Sequence, residues 1–455
     1  MTSRPICAPI AAIILAAGKG TRMKSETHKV LHPIAGRPML LHLLESVAAL
    51  APARTVIVVG SMREQLEGAL VGRGIDFAVQ EPQLGTAHAV LQAKAALADF
   101  DGDILLLSGD VPFVKPETMQ TMIAALDGSD NPAAVVMGFR PVNAAAYGRI
   151  IAGADGRIEK MVEYKDASPE ERATDLCNSN LFAVRSADLW SLLERIGNDN
   201  VQAEYYLPDL VTVATADGRS CKVVEGDAHE ASGPNSRAEF AQAEAEWQSV
   251  RRLQVMADGA TLIAPETVWF AFDTRIGRDV TIEQNVVFGP GVTIADGAII
   301  HAFCHIEGAT IAGGTSVGPF ARLRPGTVLG EKSRIGNFVE TKNAVLGKGA
   351  KANHLTYLGD AEIGAAVNIG AGTITCNYDG FFKSKTVIGE GAFVGSNSAL
   401  VAPVTIGAGA IVGAGSVITR DVEAEALVLV RSEQKSKSGW AKRFREAMTA
   451  KKAGK

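Results

Sequence analysis

The C-terminal half of the chain repeats an aliphatic residue every six positions, and this period restricts the possible folds more than any other feature. The repeat runs through Ile276, Ile282, Phe288, Ile294, Ile300 and Ile306, continues after one five-residue step through Ile311, Val317, Leu323, Leu329 and Ile335, and returns at Ile388, Val394, Leu400, Ile406, Val412 and Ile418. A period this regular indicates one coil stacked repeatedly, about eight coils of roughly eighteen residues. The sequence therefore predicts a solenoid half and a separate non-solenoid half.

The six-residue repeat is lost between Ile335 and Ile388, where polar residues concentrate in segments 337–343, 353–360 and 368–380. Irregularities in solenoids usually map to the binding face. A single histidine is more often structural than catalytic, but His354 has polar neighbours and an acidic candidate partner in Glu340. This stretch is therefore the predicted site of chemistry in the solenoid half.

The N-terminal half alternates apolar, strand-like runs with helical patterns. The strand-like runs are Ile10–Ala16, Thr55–Val59, Ile104–Leu107 and Ala133–Met137, and helical patterns cover 38–49 and 86–98. This alternation is typical of an α/β domain with a mostly parallel sheet, in which ligands bind at the carboxyl ends of strands. The apolar segment from Pro5 to Ala17 is interpreted as a buried first strand rather than a signal peptide, because it leads straight into a glycine loop.

Two loops at predicted strand ends contain residues suited to phosphate chemistry. Gly18 and Gly20 allow close backbone approach to a phosphate, and Lys19, Arg22 and Lys24 add positive charge. The loop is neither a Walker loop nor a dinucleotide fingerprint. In the second loop, Asp110 ends a strongly apolar run; one carboxylate with substrate phosphates is the usual way to hold Mg²⁺, although an Asp before Pro112 can also simply shape a turn.

Composition excludes several classes of protein. Hydrophobic residues make up 47% and charged residues 21% of 455 residues, as expected of folded domains, and the net charge of −5 gives no argument for nucleic-acid binding. The sequence contains no run of eighteen apolar residues, so no membrane-spanning segment is expected. Five scattered cysteines without a Cys-x-x-Cys pair argue against a disulfide framework or structural zinc and fit a reducing cytoplasm. The basic C-terminal tail is either a solvated segment or a clamp for an anionic ligand.

Taken together, these motifs resemble those of the sugar-phosphate nucleotidyltransferases. The resemblance rests on residues 15–23, Lys29 and Gly109-Asp110, and segments 83–88, 147–150, 162–166 and 204–209 strengthen it. With the hexapeptide half included, essentially the whole chain resembles the bacterial family of bifunctional N-acetylglucosamine-1-phosphate uridyltransferases and glucosamine-1-phosphate acetyltransferases. The implied fold is a Rossmann-like nucleotidyltransferase domain (1–237), a connecting helix (238–257), a left-handed parallel β-helix (258–431) and a basic tail (432–455). The family also implies a cytoplasmic homotrimer that acts on small molecules.

The resemblance implies roles for residues of the N-terminal domain. The nucleotide and sugar would be bound by Leu15, Ala16, Ala17, Gly18, Lys29, Gln80, Gly85, Thr86, Ser108, Gly109, Asp110, Gly148, Glu163, Asn178 and Asn235. Asp110 and Asn235 of this set would hold Mg²⁺, and Gly148, Glu163 and Asn178 would bind the amino sugar. Arg22, together with Lys29, would contact the triphosphate of UTP. The sugar phosphate is itself an anionic nucleophile, so this reaction needs positioning and charge neutralisation rather than a general base.

The resemblance also implies an acetyl-transfer site in the solenoid. His354 would be the general base and Glu340 would orient it, since histidine is the usual side chain for this task near neutral pH. Arg324, Lys342, Tyr357 and Asn368 would hold glucosamine-1-phosphate. Ala371, Asn377, Tyr378, Ser396, Ala414 and Arg431 would bind acetyl-CoA. The product, UDP-N-acetylglucosamine, feeds peptidoglycan and lipopolysaccharide synthesis in this family.

Two other functions compete with the bifunctional enzyme. One is a single-activity nucleotidyltransferase whose solenoid serves only regulation or oligomerisation; the cluster of His354, Lys342 and Arg324 argues against it. The other is a non-catalytic binding or assembly protein that retains both folds; Asp110, Lys29 and Arg22 together argue against it.

Overall fold

The computed structural model describes residues 8–18, 20–144, 147–231 and 233–454. The chain divides into two compact units, Met1–Gln248 and Ser249–Lys455. The division falls inside one helix, Arg237–Ala257, which occupies the segment where a connecting helix is predicted from the sequence. Cys7 and Lys19 lie outside the described residues.

The first unit is built around a nine-stranded mixed sheet with a separate two-stranded ribbon. The strands, in chain order, are β1 Ile10–Ala16, β2 Pro33–Ile34, β3 Arg37–Pro38, β4 Arg54–Val59, β5 Asp76–Val79, β6 Asp103–Ser108, β7 Ala134–Phe139, β8 Arg149–Ala152, β9 Ile158–Val162, β10 Cys177–Arg185 and β11 Cys221–Glu225. The main order is β11-β7-β10-β6-β1-β4-β5, with β8 and β9 attached beside β10. The pairs β11–β7, β6–β1, β1–β4 and β4–β5 are parallel. In contrast, β10 is antiparallel to β6, β7 and β8, and β8 is antiparallel to β9. The predicted α/β domain is therefore confirmed, but its sheet is mixed rather than mostly parallel, because β8, β9 and β10 pair in antiparallel fashion.

Helices follow most of these strands, and α8 spans the division between the two units. The helices are α1 Met39–Ala48, α2 Arg63–Ala69, α3 Thr86–Gln92, α4 Pro116–Leu126, α5 Pro169–Arg172, α6 Ser186–Leu193, α7 Asp209–Ala216, α8 Arg237–Ala257 and α9 Trp440–Ala453. Short 3₁₀ turns cover Thr21–Met23, Lys29–Leu31, Ala95–Leu97 and Pro265–Thr267. Among the described residues, no helix is both long and apolar enough to cross a membrane.

The central strands β1, β4 and β6 of the first unit are continuously apolar because both of their faces are buried. In β1, Ala11 to Ile14 are completely buried, and β4 and β6 are equally apolar neighbours in the sheet. Continuous apolar runs are typical of central parallel strands. Their burial places the polar loop ends at the carboxyl edge, where the first site lies.

The second unit is a solenoid of short parallel strands, consistent with a left-handed hexapeptide β-helix. Its strands are Thr261–Leu262, Arg275–Ile276, Thr281–Ile282, Val287–Phe288, Thr293–Ile294, Ile299–Ile300, His305–Ile306, Ala309–Ile311, Ser316–Val317, Arg322–Leu323, Thr327–Leu329, Arg334–Asn337, Glu340–Leu346, Lys351–His354, Tyr357–Ile363, Asn368–Ile369, Ile374–Cys376, Thr386–Ile388, Phe393–Val394, Ala399–Val401, Val404–Ile406, Ile411–Val412, Val417–Ile418 and Leu427–Val428. They form one 10-stranded and one 14-stranded sheet.

The six-residue repeat forms the core of the solenoid. Every aliphatic or aromatic residue of the repeat is buried except Ile276, which is half-buried in the first coils. Between Ile276 and Ile418, eight strands of the 10-stranded sheet stack from Thr281–Ile282 to Ile411–Val412, which agrees with the predicted count of about eight coils. The sheet adds one further strand at each end, Thr261–Leu262 and Leu427–Val428.

The apparent interruption of the repeat is not a break in the fold. Ile335 pairs in register with Ala352, Ala352 with Ile369, and Ile369 with Val394, so the stack of coils is continuous. The six-residue repeat is obscured by the small buried side chain of Ala352 and by a loop between Cys376 and Thr386. The polar residues between Ile335 and Ile388 therefore lie on a continuous solenoid.

Candidate active sites

The glycine-rich loop after β1 forms one wall of a cleft of about 470 Å³. Gly20 has a φ of +57°, and a Cβ atom there would lie 2.7 Å from the Cβ atom of Lys29. Glycine therefore lets the loop close against the stem of Lys29. Arg22 lines the cleft, whereas Lys24 is exposed and is not among the lining residues.

Lys29 joins two oxygens from distant parts of the sequence. Its Nζ atom donates hydrogen bonds to the Asp110 carboxylate and, at 2.7 Å, to Asn235 Oδ1; these partners are 81 and 206 residues away along the chain. Burial tends to raise the pKa of Asp110, but the charge and hydrogen bond of Lys29, with help from Ser108, bring the pKa below its ordinary value. Asp110 is therefore ionised at neutral pH.

Asp110 and Asn235 suit a hard divalent cation. Their oxygens already converge on one positive charge, and the Asn235 amide is held by a 2.7 Å hydrogen bond from Nδ2 to the Gly233 carbonyl. Across the described residues, no group of three or more His, Cys, Asp or Glu side chains could hold a metal alone. An ion bound here would complete its shell with substrate phosphates and water, as Mg²⁺ usually does.

The far end of the cleft is formed by residues 80–86 and closed by segment 204–207. Buried Gln80 donates from Nε2 to the Gly85 carbonyl at 2.9 Å. Gly85 has a φ of +112°, and a Cβ there would lie 2.6 Å from the Tyr205 carbonyl oxygen. The Thr86 hydroxyl accepts a 2.9 Å hydrogen bond from the backbone N–H of Leu207. Two separate sequence motifs thus meet in one wall.

The predicted sugar-binding residues Gly148, Glu163 and Asn178 form a neighbouring cluster. The Asn178 backbone N–H donates to the Gly148 carbonyl at 2.9 Å, and a Cβ at Gly148 would lie 3.3 Å from Glu163 Oε1. Burial, with the charges of Asp166 and Asp209, raises the pKa of Glu163. Asn178 Nδ2 donates to Asn180 Oδ1 at 2.9 Å, and Asn180 lines the cleft, so the cluster adjoins it.

The structure places twelve of the sixteen predicted residues of this unit in the lining itself. They are Leu15, Ala16, Ala17, Gly18, Arg22, Lys29, Gln80, Gly85, Thr86, Ser108, Asp110 and Asn235. The other four, Gly148, Glu163, Asn178 and Gly109, are not among the lining residues. The Gly109 backbone N–H donates to the Leu15 carbonyl at 2.8 Å.

The sequence argument gave no role to several lining residues, among them His28, Gln83, Asn180 and Glu204. Gln83 and Glu204 lie in motifs that supported the family resemblance, so their position in those motifs was the available signal. Nothing in the sequence marks Asn180. Burial is the main cause that lowers the pKa of His28, which is therefore neutral beside Lys29.

His354 lies on an exposed edge of the solenoid, and its partner differs from the one expected. Its Nδ1 atom is 2.7 Å from Asn337 Oδ1, whereas the Glu340 carboxylate accepts a 2.9 Å hydrogen bond from Arg324. The expectation that Glu340 orients His354 is therefore corrected to Asn337, because the coil register places Asn337 beside His354. Since an amide oxygen only accepts, Nδ1 bears the proton and Nε2 is free to take one.

Five candidate residues occupy equivalent corner positions in successive coils: Asn337, His354, Ala371, Ser396 and Ala414. Each immediately precedes a residue with positive φ. The backbone N–H of that following residue donates to the corner residue of the preceding coil, as from Gly372 to the His354 carbonyl and from Asn397 to the Ala371 carbonyl. Arg431 Nη1 extends the series by donating to the Ala414 carbonyl at 3.0 Å. We call this row the corner edge. Strands lie about 4.8 Å apart, so it extends about 19 Å from His354 to Arg431.

The predicted phosphate-binding residues flank the corner edge. Arg324, Lys342 and Tyr357 lie at or beside strands of the 14-stranded sheet, whereas Asn368 pairs with Lys351 in the 10-stranded sheet. The neighbouring Lys383 ammonium, together with Arg324, lowers the pKa of Lys342. Lys383 is thus a third cation that the sequence argument missed; its position after Tyr378 in the inserted loop was the only signal.

The inserted loop is tied to the solenoid by amide and hydroxyl contacts. Asn377 Nδ2 donates to Asp360 Oδ2 at 2.5 Å, and Asn343 Nδ2 donates to the other Asp360 oxygen at 2.7 Å. The Tyr378 hydroxyl donates to the Gly380 carbonyl at 2.5 Å. Asn377 is therefore held structurally next to the cations, while Tyr378 remains exposed.

Comparison with known proteins gives matches along most of the chain. Residues 12–159 match the MobA-like NTP transferase domain, residues 270–370 the GMPPB C-terminal domain, and residues 385–420 the bacterial transferase hexapeptide (six repeats).

Several known proteins also match the sequence of this chain over nearly its whole length. The chain is 65% identical over 445 residues to the bifunctional protein GlmU of Sphingopyxis alaskensis, covering 98% of each protein. It is 67% identical over 448 residues to the bifunctional protein GlmU of Novosphingobium aromaticivorans, covering 98% of this chain and 99% of that one. A third such protein, from Rhizorhabdus wittichii, is 65% identical over 453 residues.

Proposed function

The chain belongs to the bifunctional GlmU family, and from this premise we propose how its two sites share the synthesis of UDP-N-acetylglucosamine. The protein is a uridyltransferase and an acetyltransferase. The acetyl transfer takes place in the solenoid, and its product is the sugar phosphate used in the cleft of the first unit.

The uridyl-transfer proposal rests on the convergence of Lys29, Asp110 and Asn235 in a cleft with a glycine loop. N-acetylglucosamine-1-phosphate attacks the α-phosphorus of UTP and pyrophosphate leaves. Arg22 and Lys29 neutralise the triphosphate, while Gln80, Gly85 and Thr86 hold the uracil. Gly148, Glu163 and Asn178 position the sugar.

A divalent cation, which we propose to be Mg²⁺, fits the oxygens of Asp110 and Asn235. When bound, it supplies neutralisation of phosphate charge. The protein residues orient the nucleophile and the leaving group, which is the main requirement of a reaction without a general base.

The acetyl-transfer proposal rests on the part of the corner edge that runs from the His354 imidazole, whose Nε2 can accept a proton, to the Arg431 guanidinium. Nε2 of His354 takes the proton from the amine of glucosamine-1-phosphate as the nitrogen attacks the thioester carbonyl of acetyl-CoA. The C–S bond then breaks, the acetyl group remains on the nitrogen as an amide, and coenzyme A leaves as a thiol after its sulfur takes the proton from the imidazolium. Arg324 and Lys342, with Tyr357 and Asn368, hold the sugar phosphate. Ala371, Ser396, Ala414 and Arg431 provide an extended surface for acetyl-CoA, with Asn377 and Tyr378 beside it.

We further propose a homotrimer in the cytoplasm that binds only small-molecule substrates and supports synthesis of peptidoglycan and lipopolysaccharide. Hexapeptide repeats support an oligomer. The four described cysteines are free thiols, which supports a reducing compartment.

One assay separates the two activities. Purified protein receives glucosamine-1-phosphate, acetyl-CoA, UTP and Mg²⁺, and thiol and pyrophosphate are measured separately. Both products are expected. Pyrophosphate formation from supplied N-acetylglucosamine-1-phosphate without any thiol release would leave a single-activity nucleotidyltransferase, and absence of both products would contradict the proposal.

A further inference from the structure

Lys29 contacts the same two oxygens that suit a divalent cation. Its ammonium donates to the Asp110 carboxylate and to Asn235 Oδ1, and the Lys29 side chain is only 11% exposed. Two further contacts support this arrangement, because Gly20 packs against the lysine stem and the Gly233 carbonyl accepts a hydrogen bond from the Asn235 amide. The Lys29 ammonium thus neutralises this oxygen pair.

An ammonium and a divalent cation cannot both sit between Asp110 and Asn235. Both are positive, and repulsion between like charges at contact distance is large in a partly buried site. For the metal to engage both oxygens, Lys29 must move away from them. The side chain lines the cleft together with the glycine loop and Arg22, so phosphates bound there would offer the ammonium a new anionic partner.

We propose that Lys29 is an exchangeable counter-ion that couples metal binding to nucleotide binding. Without nucleotide, Lys29 competes with the metal for Asp110 and Asn235. When the triphosphate binds, Lys29 transfers to the phosphates and the metal takes its place. Since coupling between two ligands is reciprocal, metal must strengthen nucleotide binding by the same factor. The inference rests on the metal site proposed above.

The primary test measures Mn²⁺ binding to the full chain without nucleotide, with electron paramagnetic resonance as the readout. Lys29→Met should bind Mn²⁺ about tenfold or more tightly than the unchanged chain, within the range typical of site coupling. Lys29→Arg keeps a cation and should stay weak. The matched control is Lys24→Met, which removes one exposed charge from the same loop without touching either oxygen and should leave the affinity unchanged.

A second measurement tests the coupling itself. Mn²⁺ affinity is compared with and without a non-hydrolysable α,β-methylene UTP analogue, under identical conditions for both proteins so that metal bound by free analogue cancels. The enhancement by the analogue should be smaller by about tenfold in Lys29→Met. Equal enhancement in both proteins, or Mn²⁺ binding to Lys29→Met no tighter than to the unchanged chain, would overturn the counter-ion role.

Failure of the metal site itself has a different signature. Asp110→Asn and Asn235→Ala should each weaken Mn²⁺ binding in the presence of the analogue. If neither did, the metal would bind elsewhere and both the site and the inference would fall. If both did while Lys29→Met behaved like the unchanged chain, only the inference would fall. Circular dichroism melts confirm that each variant is folded.

Discussion

The two candidate sites are assembled in opposite ways. In the first unit, Lys29, Asp110 and Asn235 come from loops far apart in sequence and meet in a cleft because the sheet brings strand ends together. In the second unit, Asn337 and His354 are 17 residues apart and meet because one coil lies on the next. The cleft gathers charged side chains around one point, whereas the corner edge places equivalent residues of successive coils along a line.

This difference suits the two reactions proposed for them. Transfer of a nucleotidyl group needs cations gathered around one phosphorus atom, which a loop-built cleft can provide. Acetyl transfer from a long carrier such as coenzyme A needs an extended surface with a base at one end. The corner edge provides this surface because equivalent positions repeat from coil to coil. The predictions below test whether the two sites are as separate as their construction implies.

The largest expected effect is at the base of the corner edge. His354→Gln should lower acetyl transfer by about 10²–10⁴-fold, the usual contribution of a general base. Uridyl transfer from supplied N-acetylglucosamine-1-phosphate should be unchanged. The control His301→Gln changes another solenoid histidine, bonded to Glu283 at 3.0 Å, and should leave thiol release near normal. Loss of both activities in the folded His354 variant would contradict the separation of sites.

Asp110→Asn should have the opposite selectivity. Loss of the carboxylate should remove several kcal/mol of charge stabilisation, which corresponds to about 10³-fold in uridyl transfer. Acetyl transfer, measured by thiol release, should be unaffected. As a control, Asp130→Asn breaks the ion pair with Lys222, away from the cleft lining, and should preserve uridyl transfer.

A smaller effect distinguishes Asn337 from Glu340. Asn337→Ala removes the hydrogen bond to His354 Nδ1, so kcat for acetyl transfer should fall about tenfold, the value of one hydrogen bond. Glu340→Gln weakens the contact with Arg324 and should mainly change KM for glucosamine-1-phosphate. If Glu340→Gln lowered kcat more than Asn337→Ala did, Glu340 rather than Asn337 would position the imidazole during catalysis.

The smallest expected effect is a pH-dependent change in stability at the sugar cluster. Burial and the charges of Asp166 and Asp209 raise the pKa of Glu163 above 4.5, so the folded state binds its proton more tightly than the unfolded chain. The unfolding free energy therefore falls as pH rises from about 4.5 through the raised pKa, and the cost persists at neutral pH.

Glu163→Gln should remove that cost, because the neutral amide is not penalised by burial. Its Tm should exceed that of the unchanged chain by on the order of 2 °C at pH 7, with the difference vanishing below pH 4.5. KM for N-acetylglucosamine-1-phosphate should rise about tenfold. Scanning calorimetry across pH checks the first point, and a lower Tm at pH 7 would contradict it.

The sequence alone determined the two-part organisation and most of the chemistry-bearing residues. A six-residue period can be read directly because each inward residue repeats at a fixed interval, and the continuous apolar runs mark buried strands in the same way. Asp110 and His354 stood out because their residue types are unusual after an apolar run or within a disturbed repeat. Lys29 entered only through the family resemblance, which joined all three residues into sites.

Only the tertiary structure decided which side chains contact one another. It paired His354 with Asn337 rather than Glu340, brought Lys383 beside Lys342, and placed Asn180 between the sugar cluster and the cleft. It also showed that the disturbed stretch is a continuous stack. Repeats and motifs reveal periodicity and residue type, but hydrogen-bond partners depend on coil register and loop closure, which place residues distant in sequence within a few ångströms of each other.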